Sequence, residues 1–205
     1  MSNITVTVSR MFGSGGSEIA QKVADALRIP YYDKEIVKLI AEESGIREDY
    51  IESADEKPVN SFLYSIVTHG ASAYSSPLPY GHSSIEDRIH SAQAKIIKSI
   101  AEKGSSVIIG RGADNILKDF EGLVRVFIYA PREFRIERVS KLNGIGEKEA
   151  ADLLKKADKA RSSYYEFITN KRWGAPENYD ICINSKIGTD RCAELILEYI
   201  KKASD

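Results

Sequence analysis

Cysteine is scarce: Cys182 and Cys192 are the only two in 205 residues. Without a CxxC pair or a Cys/His cluster they offer neither a disulfide framework nor a metal site. Both read as small apolar side chains packed in a reduced cytosol. Histidine is sparse too, and His69, His82 and His90 lack the spacing of metal ligands. No excess of charge exists, because 29 Lys and Arg face 30 Asp and Glu. A global field that would hold nucleic acid or an anionic membrane is therefore excluded, and any anionic ligand needs a local cluster. Apolar runs long enough to cross a bilayer are absent, and the amino terminus enters a strand-like stretch where a secretory signal would carry a basic segment and an apolar core. The expectation is a cytoplasmic chain without nucleic-acid or membrane partners.

What is present is alternation. Ile4, Val6 and Val8 form a β-branched run that feeds a Gly/Ser loop, and from Glu18 the residues Ile19, Ala20, Val23, Ala24 and Leu27 recur at helical spacing up to Pro30. A short Tyr31-Tyr32 extension and a helix through Ile36, Val37, Leu39 and Ile40 follow. The stretch 56–82, rich in Ser, Pro, Gly and Tyr, shows no period and reads as an irregular insertion. Ser84 with Asp87 makes a capping-box-like start for a helix lined by Ile85, Ile89, Ala92, Ile96 and Ile100 and ended by Gly104. Three continuous apolar segments come next, Val107 to Ile109, Val124 to Tyr129 and Tyr179 to Asn184, separated by helical stretches near Ala113, Phe134 to Val139, and Glu147 to Tyr165. A last amphipathic helix carries Leu195, Ile196 and Ile200, with Thr189 as its cap. Strands separated throughout by helices predict a parallel sheet covered on both faces, with ligands at the carboxyl ends of its strands. The length suits one domain, within which 34–103 forms an insertion region.

The loop after the first strand, Ser9 to Ser17, stands where such a sheet binds phosphate. Gly13, Gly15 and Gly16 let the backbone turn its N–H groups inward, and the following helix adds its positive end. The phosphate-loop pattern GxxxxGK[ST] is nonetheless broken. Gly15 and Ser17 fit its second glycine and its hydroxyl residue, which leaves Arg10 at the first glycine and Gly16 at the lysine. A dinucleotide turn opening at Gly13-Ser14-Gly15 fails at its third glycine, where Glu18 stands. A glycine-rich turn with no ligand is the plain alternative.

SRMFGSGGSEIA at Ser9 to Ala20, IPYYDKE at Ile29 to Glu35, VIIGRGAD at Val107 to Asp114, and DKARSSYY at Asp158 to Tyr165 with WGAPENYDICINS after it together resemble the cytidylate kinase-like branch of P-loop nucleoside-monophosphate kinases. The likeness covers nearly the whole chain. It implies an α/β three-layer P-loop kinase fold with a five-stranded parallel sheet, a monophosphate-binding insertion and an arginine-bearing lid. It further implies that Gly13, Ser14, Gly15, Gly16, Ser17 and Glu18 bind ATP, with Ser17 as the magnesium-binding hydroxyl. Asp33 then begins the monophosphate region, Arg111 grips the acceptor phosphate, and Asp158 and Arg161 close on the reacting phosphates with Arg135 and Arg138 at the base of the lid. Gly112 replaces the aspartate of the family's GRD motif, which loosens the link to a cytosine base. The implied reaction is transfer from ATP to CMP or dCMP. With the loop lysine gone, either catalysis is poor or another cation replaces it, and the expected replacements are Arg10 or a lid arginine among Arg135, Arg138 and Arg161.

Plainer readings stand beside these. A pair with a neighbouring carboxylate is the second reading of Arg111, a solvated helix pair stands level with the functional reading of Asp158 and Arg161, and an ordinary charged face with Glu133 and Glu137 comes first for Arg135 and Arg138. Tyr164, Tyr165 and Trp173 read as core or interface contacts. A nucleotide-binding module without catalysis, or a scaffold with no ligand, are the competing functions. The helix from Ser84 to Lys103 offers a homodimer face, although such a helix ordinarily packs on its own sheet.

Overall fold

The computed structural model describes residues 3–49, 51 and 85–203. The irregular stretch 56–82 and the Ser84 cap lie outside them. Five strands run parallel in the order β2-β3-β1-β4-β5: β1 is Thr5–Arg10, β2 Tyr31–Tyr32, β3 Ser106–Ile109, β4 Leu123–Tyr129 and β5 Ile181–Asn184. Central β1 is buried along Thr5 to Ser9, as expected of a strand covered on both faces. Tyr179 belongs to a 3-10 turn's end, so the last strand starts later than its apolar run suggests.

Two apolar clusters flank the sheet. On one face α1 (Gly16–Leu27) and α7 (Thr189–Ala203) bring Ile19, Val23, Cys192 and Ile196 against Val6, Val8, Val107 and Val126. On the other, α2 (Glu35–Ser44), α3 (Ile85–Lys103) and α4 (Ala113–Ile116) pack Ile36, Ile40, Ile97 and Ala113 around Ile108. The alternation of Val107, Ile108 and Ile109 thus serves both layers. A third, smaller cluster joins α5 (Arg132–Asn143) to α6 (Glu147–Thr169) through Val139, Ala150 and Leu154, and Phe12 of the loop after β1 packs against it.

Three local expectations change. Ile85 is exposed and Ile97, more than Ile96, carries the core contact of α3. Thr189 opens α7 with its hydroxyl donated to Glu18 (2.8 Å). Cys192 is buried as expected, but Cys182 is exposed on β5, at the edge of the sheet. No helix of the described residues is long and apolar enough to cross a membrane.

Candidate active site

The loop between β1 and α1 is built around two left-handed glycines, Gly13 at φ +76° and Gly15 at φ +77°. A side chain at Gly13 would also meet Val139 Cγ2 at 2.8 Å. Close approach of α5 therefore requires glycine there. Ser14 is buried, and its hydroxyl donates to the Met11 carbonyl (2.8 Å). The chain then enters α1 at Gly16, two residues earlier than its apolar spacing indicates, and leaves the helix's first N–H groups at the loop.

Charged residues of the helical hairpin hold this loop. Asp158 Oδ1 accepts from the Phe12 N–H (2.7 Å), while Arg135 donates to the Phe12 carbonyl (3.0 Å), the Ala130 carbonyl (3.1 Å) and Asp158 (2.5 Å). Arg135 is only 8% exposed, which overturns its reading as part of a solvated face. Arg161 donates to the Arg10 carbonyl (3.0 Å), and its guanidinium lies 5.6 Å from the Phe12 ring centroid. The spacing of three in Asp158 and Arg161 does place both on one face, and that face meets the loop. Arg138 pairs with Glu18 (2.6 Å), whose carboxylate also receives Thr189 and Lys22. The hydrogen bond from Thr189 first, with those from Lys22 and Arg138, holds the Glu18 carboxyl below its ordinary value against the opposing effect of burial.

Across the sheet, β3 ends in an unusual turn: Gly110, Arg111 and Gly112 take φ of +64°, +56° and +64°. Left-handed backbone at a non-glycine residue carries strain of order 1 kcal/mol. Gln93 of α3 restrains the turn by donating to the Arg111 carbonyl (2.8 Å), and Tyr164 of α6 restrains Gln93 (2.7 Å). Arg111 itself donates to the Asp33 carbonyl (2.7 Å) and faces the Asp33 carboxylate at 3.9 Å. A Cβ at Gly112 would press on Ile168 Cδ1, so an aspartate there would need the end of that side chain to move aside. Behind the turn, buried Asp114 accepts from Tyr165 (2.7 Å), and burial raises the carboxyl's pKa.

Between loop and turn lies a cleft of about 890 Å³ whose walls include Arg10, Asp33, Arg111, Arg161, Tyr164 and Trp173. Arg10 stands 3.8 Å from Asp33, and its Nε is buried without a hydrogen-bond partner. Burial, then the neighbouring charge of Arg161, draws its pKa down to about 10, with Asp33 opposing and Arg111 adding to the fall. It stays protonated at neutral pH. Tyr31 donates to Asp33 (3.2 Å), and burial followed by the Asp33 charge pushes the phenol up to about 12. Arg10, Lys34, Arg111, Lys156 and Arg161 against Asp33 and Asp49 leave the cleft lining positive, the condition for seating an anion. Of the residues expected in a site, Arg10, Asp33, Arg111 and Arg161 line this cleft, whereas Gly13 to Glu18, Arg135, Arg138 and Asp158 do not.

Sequence reasoning passed over Gln93, Asp114 and Tyr31. Gln93 was legible as a polar residue on the apolar stripe, four residues from both Ile89 and Ile97. Nothing local marks Asp114, whose partner is 51 residues away.

A glycine loop running from the central strand into α1, facing an arginine at the end of the neighbouring strand and closed by an arginine-bearing hairpin, is the architecture of a P-loop kinase. The comparisons with known proteins agree. A gluconokinase from Sinorhizobium meliloti 1021 is 15% identical, covering 98% of this chain and 94% of that one at a TM-score of 0.54, and a shikimate kinase from Bacteroides thetaiotaomicron is 13% identical, covering 97% and 98% at 0.52. At those identities they attest to the fold. An uncharacterized protein from Eubacterium ventriosum ATCC 27560 stands nearer, with 29% identity, 97% and 98% coverage and a TM-score of 0.71. No curated protein matches the chain in sequence. The model of the cytidylate kinase-like family matches residues 5–187, and the chain belongs to that family.

Proposed function

We propose that the chain transfers a phosphoryl group from ATP to a nucleoside monophosphate, with CMP or dCMP as the favoured acceptor. The observation that carries this reading is the convergence of Arg10, Arg111 and Arg161 on one cleft, in which Asp33 lies 3.8 Å from Arg10 and 3.9 Å from Arg111. Phosphoryl transfer asks little covalent work of a protein; it asks for alignment and for positive charge at the equatorial oxygens. The loop Gly13 to Ser17 and the start of α1 receive the ATP phosphates. Arg111, fixed by its strained turn, Gln93 and the Asp33 carbonyl, holds the acceptor phosphate. Arg161 spans loop and cleft. Asp158, Arg135 and Arg138 position the loop and α1 without touching substrate, and Glu18 neutralises Arg138.

The described residues hold no group of three His, Cys, Asp or Glu, so magnesium fits this site only as it fits other phosphate loops, with Ser17 as a protein ligand and the remaining positions filled by phosphates and water. Bound there, the ion would neutralise charge on the transferred group. Helices α2 and α3, the described part of the expected insertion 34–103, supply the acceptor side in this reading.

The test is acceptor phosphorylation with ATP and magnesium across CMP, dCMP, UMP, AMP and GMP, scored by product identity. A diphosphate product with one preferred base supports the kinase. Gly16 at the lysine position favours a second reading, a nucleotide sensor without catalysis, and tight nucleotide binding with no product would establish it in place of the first.

A further inference from the structure

The broken phosphate-loop pattern has a steric logic. A Cβ built on Gly16 would lie 2.5 Å from Arg10 Cβ and 2.9 Å from Arg10 Cγ. Those atoms are the root of the arginine side chain, and β1 pairs Arg10 with Ile128 of β4, so they have little freedom to withdraw. The rest of the side chain continues past the loop to β3, where its Nη1 would be 2.6 Å from a Cβ on Gly110. Both glycines therefore make room for one arginine.

We infer that Arg10 and Gly16 are an exchanged pair: the cation that GxxxxGK[ST] carries at its seventh position is carried here at its first, and the glycine has moved to the seventh so that the arginine can lie across it. This deepens the phosphoryl-transfer reading and rests on it for the identity of the anion, a nucleoside triphosphate's phosphate chain. Of the four arginines that compete for the role, Arg135 is held by Phe12, Ala130 and Asp158, Arg138 by Glu18, and Arg161 by the Arg10 carbonyl. Among the described residues, Arg10 alone of the four has a buried N–H without a hydrogen-bond partner, at Nε, and its ion pair with Asp33 is long, at 3.8 Å. Its head lies between the loop and Arg111, where a triphosphate and an acceptor phosphate would meet.

A cycle of four proteins tests the exchange: wild type, Arg10→Met, Gly16→Lys, and Arg10→Gly/Gly16→Lys. Methionine keeps an unbranched stem across Gly16 while deleting the charge, so its fold is preserved. Each protein is melted and titrated with inorganic triphosphate and with ATP plus magnesium. Arg10→Met should melt near wild type and bind triphosphate about 10- to 100-fold more weakly. Gly16→Lys alone should melt about 4–10 °C lower through overpacking. The double variant, which restores the GxxxxGK[ST] pattern, should recover most of that Tm loss and bind triphosphate within about threefold of wild type, a tolerance smaller than one tenfold step. The inference is overturned if Gly16→Lys melts with wild type, if the double variant is no better than Gly16→Lys, if Arg10→Met binds triphosphate undiminished, or if wild type binds none. A cycle as expected with no phosphorylated acceptor would leave the exchange standing and remove the kinase reading. Full turnover by Arg10→Met would do the reverse.

Discussion

The loop after β1 and the turn after β3 both end a buried strand at the same cleft, yet they are held in opposite ways. The loop is clamped from outside: Asp158 and Arg135 take both polar groups of the Phe12 peptide units, and the Phe12 ring packs on the apolar cluster of α5 and α6. The turn is held from within, by three successive left-handed residues and one hydrogen bond from Gln93. The difference separates the charges by use. Those on the hairpin are largely engaged in scaffolding, while Arg10 and Arg111, each issuing from the end of a strand, face the cleft. A cluster of arginines near a phosphate loop is therefore no guide to which of them meets phosphate; the partners already bound decide it.

Removing the clamp should have the largest effect. Asp158→Ala leaves Arg135 buried without its counter-charge and should cost about 3 kcal/mol, a Tm fall of about 6–12 °C in a thermal melt. An unchanged Tm would erase the contrast between clamped loop and self-held turn. Gly112→Ala attacks the turn, combining positive φ with the Ile168 contact, and should cost about 2 kcal/mol. Adding Ile168→Ala should fail to rescue it fully, because the backbone strain remains. Tyr165→Phe tests the support behind the turn and should cost about 1 kcal/mol by denaturant titration, since the buried Asp114 carboxyl loses the hydrogen bond that Tyr165 donates. The carboxyl is already raised by burial, so its charged form destabilises the fold once the pH exceeds the unfolded pKa; the Tyr165→Phe deficit should grow from acid to neutral pH. The smallest effect belongs to Glu18→Gln. Solvent screens this half-exposed carboxylate, leaving about 0.5 kcal/mol, and because its folded pKa is depressed the difference from wild type should be present above about pH 5 and vanish as the pH falls through the depressed value.

The fold was legible because its evidence is periodic. β-branched runs, helical spacing and the glycine loop fell in an order that only a parallel sheet accommodates, and the strands from Thr5 to Tyr129 sit where their apolar runs place them. Where apolar residues are adjacent, as with Ile96 and Ile97, a face drawn one residue off still looks apolar, and Ile85, at the start of the same helix, reads as apolar face although it is exposed. The site was legible in its positions and much less in its roles. Arg135 reads as surface amid Glu133 and Glu137, and its burial depends on Phe12, 123 residues away. Conversely, the loss of the lysine reads as damage in a one-dimensional pattern. In the folded chain Gly16 is the space that the Arg10 stem needs.

The most direct test of the account compares Arg111→Met with wild type, measuring diphosphate formation from ATP and the preferred monophosphate alongside the melting temperature. The account predicts turnover reduced by about 100-fold or more, as for loss of a preorganised electrostatic group, with Tm within about 4 °C. Undiminished turnover, or a loss that merely follows a collapse in Tm, would contradict the assignment of Arg111 to the acceptor phosphate.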